Sequence, residues 1–212
     1  TELIDWEWIR DDGRDILKPA MLNVLARGAN TAYKIGGIEA SFDVLNPRSV
    51  RWAGEHCAKL VKEVSDETRK GLKQIIRRGI KEGKSMPRIA KKIRPMVGLT
   101  ERQMMATANF EERLIIDRPE LSRKELDRRV DVHARRMHRR RADTISRTES
   151  ANAVNEGTLQ GYEGAKIEEL EILLGPNPCD ICIGLASRTY KTRESHGILT
   201  AHPRCECCWS PL

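Results

Sequence analysis

Aromatic residues make up only 4% of this 212-residue chain, which excludes a broad stacking platform for unpaired bases. No apolar run approaches the roughly 20 residues that span a bilayer, so no membrane association is expected. No signal-peptide pattern opens the chain, and no initiator Met precedes Thr1, so a longer parent polypeptide is expected. Cysteine is nearly missing from the first 178 residues. Its one representative there, Cys57, falls on the apolar positions of a helical pattern and reads as a core residue. Internal repeats and low-complexity stretches are also lacking.

What the chain has is charge: Asp, Glu, Lys and Arg total 33%, with a formal net charge of +7. The excess is uneven. Residues 51–96 hold 14 Lys/Arg against 5 Asp/Glu, and residues 121–150 hold 10 against 5. The last 54 residues reverse the sign, with 5 against 7. A basic middle implies an acidic partner, either nucleic acid or an acidic protein face, or else a solvated helix surface.

The pattern is mainly helical. An opening helical stretch has Pro19 as a possible start and is broken at Gly36-Gly37. From Ser49 to Ile80 apolar residues recur at steps of three and four, with Asp66 as a possible restart and Gly83 where a helix would end. A short helix follows Ser85 and stops at Pro95. "TERQ" at 100–103 and "SRKE" at 122–125 are capping-box patterns. From Ser122 to Glu156 neither proline nor glycine interrupts, which predicts one basic helix over about 122–157, about 50 Å long, ended by Gly157, Gly161 and Gly164. "EELEILL" alternates like a strand, and "RTYKT" suggests a second. Three parts result: an N-terminal helical segment 1–45, a basic helical body 46–165, and a small β flap 166–212.

Five of the six cysteines lie in that flap. Cys179-x-x-Cys182 and His202-x-x-Cys205-x-Cys207 are two short donor pairs separated by a loop, the arrangement a tetrahedral zinc site needs. Disulfides would require an oxidising compartment, and a redox CxxC normally opens a helix in a βαβ setting, which "GPNPCDICIG" does not resemble. Structural zinc is therefore expected. Its ligands are drawn from Cys179, Cys182, His202, Cys205 and Cys207, with His202 and Cys207 competing for one position. In an extended tail Cys205 and Cys207 face one side and Cys208 the other. His196 reads as an ordinary loop histidine.

On the long helix, Glu149, Asn152 and Glu156 form a polar row. Arg147 and Glu149 are expected in structural ion pairs, Arg147 reaching a carboxylate on a neighbouring element. No nucleophile or companion base accompanies them, so no catalytic residue is assigned and enzymatic activity is not expected. "RRMHRRR" at 135–141 suits phosphate neutralisation by Arg135, Arg136, Arg139, Arg140 and Arg141, or else pairing with acids such as Glu111, Glu112 and Asp117.

Several blocks of the chain, taken together, resemble the phage head morphogenesis family, the Mu F-like minor capsid proteins. These are "FDVLNPRSVRWAGEHCAKLV", "SDETRKGLKQIIRRGIKEGKSMPRIAKKIR", "VGLTERQ", "RADTISRTESANAVNEGTLQGY" and "CDIC…AHPRCECCWSP", in family order from about residue 42 onward. The Arg147-Thr148-Glu149 triplet with Asn155 and Gly157, and the terminal cysteine pattern, carry most of it. Two departures are the lack of a tryptophan before Cys179 and the additional Cys208. The resemblance implies a virion protein without enzymatic activity, acting in head assembly or DNA delivery. It would lie at the portal vertex or inside the head, after assembly in the host cytoplasm. Its expected partner is the portal protein, with packaged DNA, scaffold or major capsid protein as further candidates. The competing expectation is a zinc protein that binds nucleic acid without sequence preference.

Overall fold

A computed structural model describes the chain from Trp6 to Leu212, and its side chains from Asp11. The described residues are mainly helical, with a small three-stranded antiparallel sheet near the C-terminus. The helices are α1 (Trp6–Ile35), α2 (Pro47–Lys81), α3 (Met86–Ile93), α4 (Glu101–Asp117), α5 (Arg123–Gly164) and α6 (Asp180–Ala186). The strands are β1 (Glu169–Leu173), β2 (Tyr190–Lys191) and β3 (Cys208–Pro211), in the order β2-β1-β3. Two compact units result, Lys59–Asp143 and Glu7–Ala58 with Thr144–Leu212. This differs from the three consecutive parts read from composition. The reason is that α2 and α5 each run from one unit into the other, so charge changes along the chain do not mark the boundaries.

In the 59–143 unit the apolar stripes do what their period implies. Leu72 and Ile75 of α2 meet Met96, Leu99, Met104 and Ala108 in one core. Asp66 starts no new helix, because α2 is continuous through it. Helix α2 ends where Gly83 takes φ +67°, a left-handed turn that costs glycine little. Thr100 caps α4 as expected: its hydroxyl accepts from the Gln103 amide, and the Gln103 side chain accepts from the Thr100 amide. The second capping box is half made. Ser122 accepts from the Glu125 amide, but the Glu125 carboxylate turns to Arg128 and Arg129. Those guanidiniums hold its carboxyl down at about 2.

The other unit departs further from expectation. Helix α1 runs through Pro19 rather than starting there. Asp15 and Pro19 both lie on the exposed face, so the carbonyl that proline leaves unpaired is open to water. Helix α5 likewise continues past Gly157 and Gly161 to Gly164. These glycines are contact points. A Cβ on Gly157 would lie 2.0 Å from the Leu25 carbonyl oxygen, and one on Gly161 would lie 2.6 Å from the Ala32 Cβ. On α1, a Cβ on Gly28 would lie 2.3 Å from the Val154 carbonyl. Helix-breaking propensity of about 1 kcal/mol per glycine is outweighed by this close packing of α1 on α5. Leu25, Met21, Ala53, Cys57 and Ala153 form the core at this level, with Cys57 fully buried as expected.

The expected hairpin flap is instead a three-stranded sheet with α6 inserted between β1 and β2. Leu170 and Ile172 of β1 face inward, and β1 pairs with β3 in the register Ile172–Trp209 and Leu173–Cys208. The sheet has no self-contained core. Its Leu170, Ile172 and Trp209, with Leu199 of the loop before β3, pack with Leu159 and Tyr162 of α5, Ala32 of α1, and three cysteines.

Candidate metal centre

Those three cysteines, Cys182, Cys205 and Cys207, are each at most 5% exposed. Helix α6 places the first pair: Cys179 is its N-cap residue and Cys182 lies in its first turn. The CxxC therefore does open a helix, contrary to the sequence reading. The sheet around it is antiparallel, however, and not a βαβ unit. The second pair is placed by a tight turn. The Cys205 amide donates to the His202 carbonyl, Pro203 fills the first corner, and Arg204 takes φ +63° in the second. Beyond it the chain is extended. Cys205 and Cys207 are buried while Cys208 is exposed, the alternation expected of an extended tail.

The donors form two groups of three that share one thiol. Cys179, Cys182 and His202 lie mutually within 4.8 Å, as do Cys182, Cys205 and Cys207. The Cys182 sulfur is 3.8 Å from that of Cys179, 3.8 Å from that of Cys205, and 3.1 Å from His202 Nε2. Two sulfurs on one tetrahedral zinc, each at about 2.3 Å, are held about 3.8 Å apart. All five expected ligands are thus gathered around Cys182, and the cluster could hold a metal ion.

The donor chemistry fits such an ion. His202 Nδ1 lies 3.0 Å from the Pro203 carbonyl, so it carries the proton and leaves the Nε2 lone pair toward Cys182. Burial pushes the Cys182 thiol well above its usual range, and its hydrogen bonds to Cys207, Cys179 and Cys205 add to the effect. Packed thiols without a cation resist ionisation, whereas a bound cation would deprotonate them. Exposed Cys179 shifts the other way, because the Cys182 backbone N–H beside it favours the thiolate.

Around the cluster is a polar seam that the sequence disclosed only in part. The Arg204 amide donates to Thr148 Oγ1 at 3.0 Å, so the Arg147-Thr148-Glu149 triplet touches the loop that carries His202 and Cys205. Glu149 meets His56 Nε2 at 2.5 Å and accepts from Asn152 at 3.2 Å. Arg147, two residues from Glu149 on one helix, points to a different side and is exposed. Further along α5, Gln160 bridges Ser49 and Glu156. His196 is no ordinary loop histidine: its Nδ1 lies 2.9 Å from Glu156 and its Nε2 2.9 Å from Glu163. His56, Thr148, Arg48 and His196 were not marked as site residues because their partners lie 33 to 148 residues away in sequence. The three- and four-residue spacing of Glu149, Asn152, Glu156, Gln160 and Glu163 was the one available signal.

The basic cluster divides. Arg135, Arg136, Arg139 and Arg140 are exposed, and among the described residues no carboxylate lies within ion-pair distance of them. Arg141 departs from the expected phosphate-binding set. Its side chain is 10% exposed, it lies 3.6 Å from Glu67, and burial lowers its pKa. At 100° per residue the first four occupy an arc of about 140°, while Arg141 falls on the opposite, buried side. Nor do the suggested acids answer them, since Glu111 pairs with Lys92 and Arg123, and Glu112 with Arg78.

No described helix is long and apolar enough to cross a membrane. Comparisons with protein families, with curated proteins and with solved structures return no match.

Proposed function

We propose that this chain is a structural minor head protein of a tailed phage that docks at the portal and acts in head assembly or DNA delivery. One observation carries the reading. Three of the five sequence blocks that resemble the phage head family meet in one unit: Arg48, Ser49 and His56 come from "NPRSVRWAGEH", Thr148, Glu149, Glu156 and Gln160 from "RTESANAVNEGTLQG", and the candidate metal donors from the CxxC…HPxCxC tail. Residues scattered over more than 150 positions in sequence thus serve one construction, as expected if they were kept together for one role. The metal in this reading is zinc, bound by Cys179, Cys182, Cys205 and either His202 or Cys207. Its function is structural, as it ties a sheet without a core of its own to the helices. No catalytic role is assigned to it.

Co-expression with a portal protein tests the proposal. The chain is expected to co-purify with the portal ring through size exclusion and to reach the virion. Loss of both would overturn it.

A second reading is favoured by the exposed arginine face. Arg135, Arg136, Arg139 and Arg140 have the charge and solvent access to neutralise duplex phosphates. Replacing the four with glutamine should lower the slope of log K against log salt by about 3 to 4. An unchanged slope would dismiss this surface.

A further inference from the structure

His196 reaches from the segment following β1 into the carboxylate row of α5. It stands between Glu156, which is 8% exposed, and Glu163, with Gln160 fixing the other oxygen of Glu156 at 2.8 Å. From α2, Arg48 grips Glu163 and places its NH2 2.7 Å from His196 Nε2. No further carboxylate or cation of its own segment lies within ion-pair distance of the ring among the described residues. Nδ1 faces Glu156 and donates to it in either protonation state, whereas Nε2 faces both a Glu163 oxygen at 2.9 Å and the Arg48 NH2 at 2.7 Å and donates to Glu163 only in the protonated ring. When Nε2 loses its proton it can no longer donate to Glu163 and instead accepts from Arg48. Glu163 then keeps Arg48 alone.

We propose that His196 is the pin of a proton-dependent clasp: as an imidazolium it bridges Glu156 and Glu163 and fastens the segment bearing Cys179 to Cys207 onto α5, and deprotonation loosens that segment. This stands apart from the metal and from the phage assignment, since none of its groups belongs to the ligand set.

Electrostatics agrees with the geometry. Glu156 is the largest cause that raises the His196 pKa, opposed by burial and by Arg48. Both carboxyls are lowered despite burial, Glu156 by His196 and Glu163 by Arg48 and then His196. The histidine contribution is complete below the ordinary imidazole value of about 6.5 and disappears as pH rises through the raised folded value. The carboxylate contribution is complete above about 4.3 and disappears as pH falls through the lowered values. The clasp is therefore tightest between these limits and opens on the alkaline side.

Amide hydrogen exchange of residues 190–198, corrected for intrinsic rates and with the protein held in saturating zinc, reads the clasp directly. Protection should fall about tenfold between about pH 6 and pH 9 in the wild type and be flat in His196→Gln. Identical profiles in the two proteins would overturn the proposal. Should His196→Gln fail to fold, the imidazole Cε1–H titration of the wild type and of Arg48→Gln decides. The midpoint should lie above the ordinary histidine value and move further up when Arg48 is removed. A midpoint below it, or one indifferent to Arg48, would contradict the clasp.

Discussion

The two compact units of this protein solve the problem of an interior in different ways. Residues 59–143 bury Leu72, Ile75, Met96, Leu99 and Met104 along amphipathic helices, with Arg78–Glu112 and Lys91–Asp127 pairs at the margins and only a few charges, Lys92 with Glu111 and Arg141, drawn inward. The other unit buries cysteines beside Trp209 and Tyr162, brings helices together through Gly28, Gly157 and Gly161, and lines one seam with Glu149, Glu156, Gln160 and His196. The first interior is held by non-directional packing and tolerates drift in detail. The second depends on directional contacts: thiols around a point, carboxylates around an imidazole, and backbones too close for a methyl group. Such construction is expensive to keep unless the geometry itself is used, which is why the functional assignment rests on this unit.

The contrast is sharpest if a cluster thiol is removed. Cys182→Ser should lose metal, a binding term on the order of 10 kcal/mol, and unravel the β1–β3 sheet. Metal content and amide exchange would check this, with the core around Leu99 keeping its protection. In the opposite direction, Leu99→Ala should cost about 2 to 5 kcal/mol in denaturant unfolding yet leave bound metal per chain unchanged. A smaller test separates the glycines. Gly157→Ala must push its methyl into the Leu25 carbonyl and should lower stability by about 1 to 3 kcal/mol. Gly54→Ala, with nothing within 4 Å of the added carbon, should raise it by up to about 1 kcal/mol. Equal effects at the two sites would break the distinction between packing glycines and idle ones.

The same difference explains what could be read from the sequence. Helices α2 and α4 were legible because their apolar period and the Thr100–Gln103 capping box are local signals, and β1 was legible from the alternation of Leu170 and Ile172. The Cys/His cluster that could hold a metal was legible because CxxC and HPxCxC bring donors together through short turns. The course of α5 beyond Gly157 was not. A glycine that breaks a helix and one that admits a neighbouring backbone look alike until Leu25 is known to lie opposite. His196 was hidden for the same reason, as its carboxylates are 33 and 40 positions away. Helix α6 was missed because seven residues give too short a period to detect.

The account stands most directly on metal analysis combined with thiol reactivity of the purified chain. One zinc per chain is predicted, with at least three thiols shielded from an alkylating probe until a chelator is added. Chelation should also release the protection of residues 169–212 while that of 59–143 persists. A metal-free protein whose terminal sheet stays protected, with exposed Cys179 and Cys208 alone reactive, would contradict it.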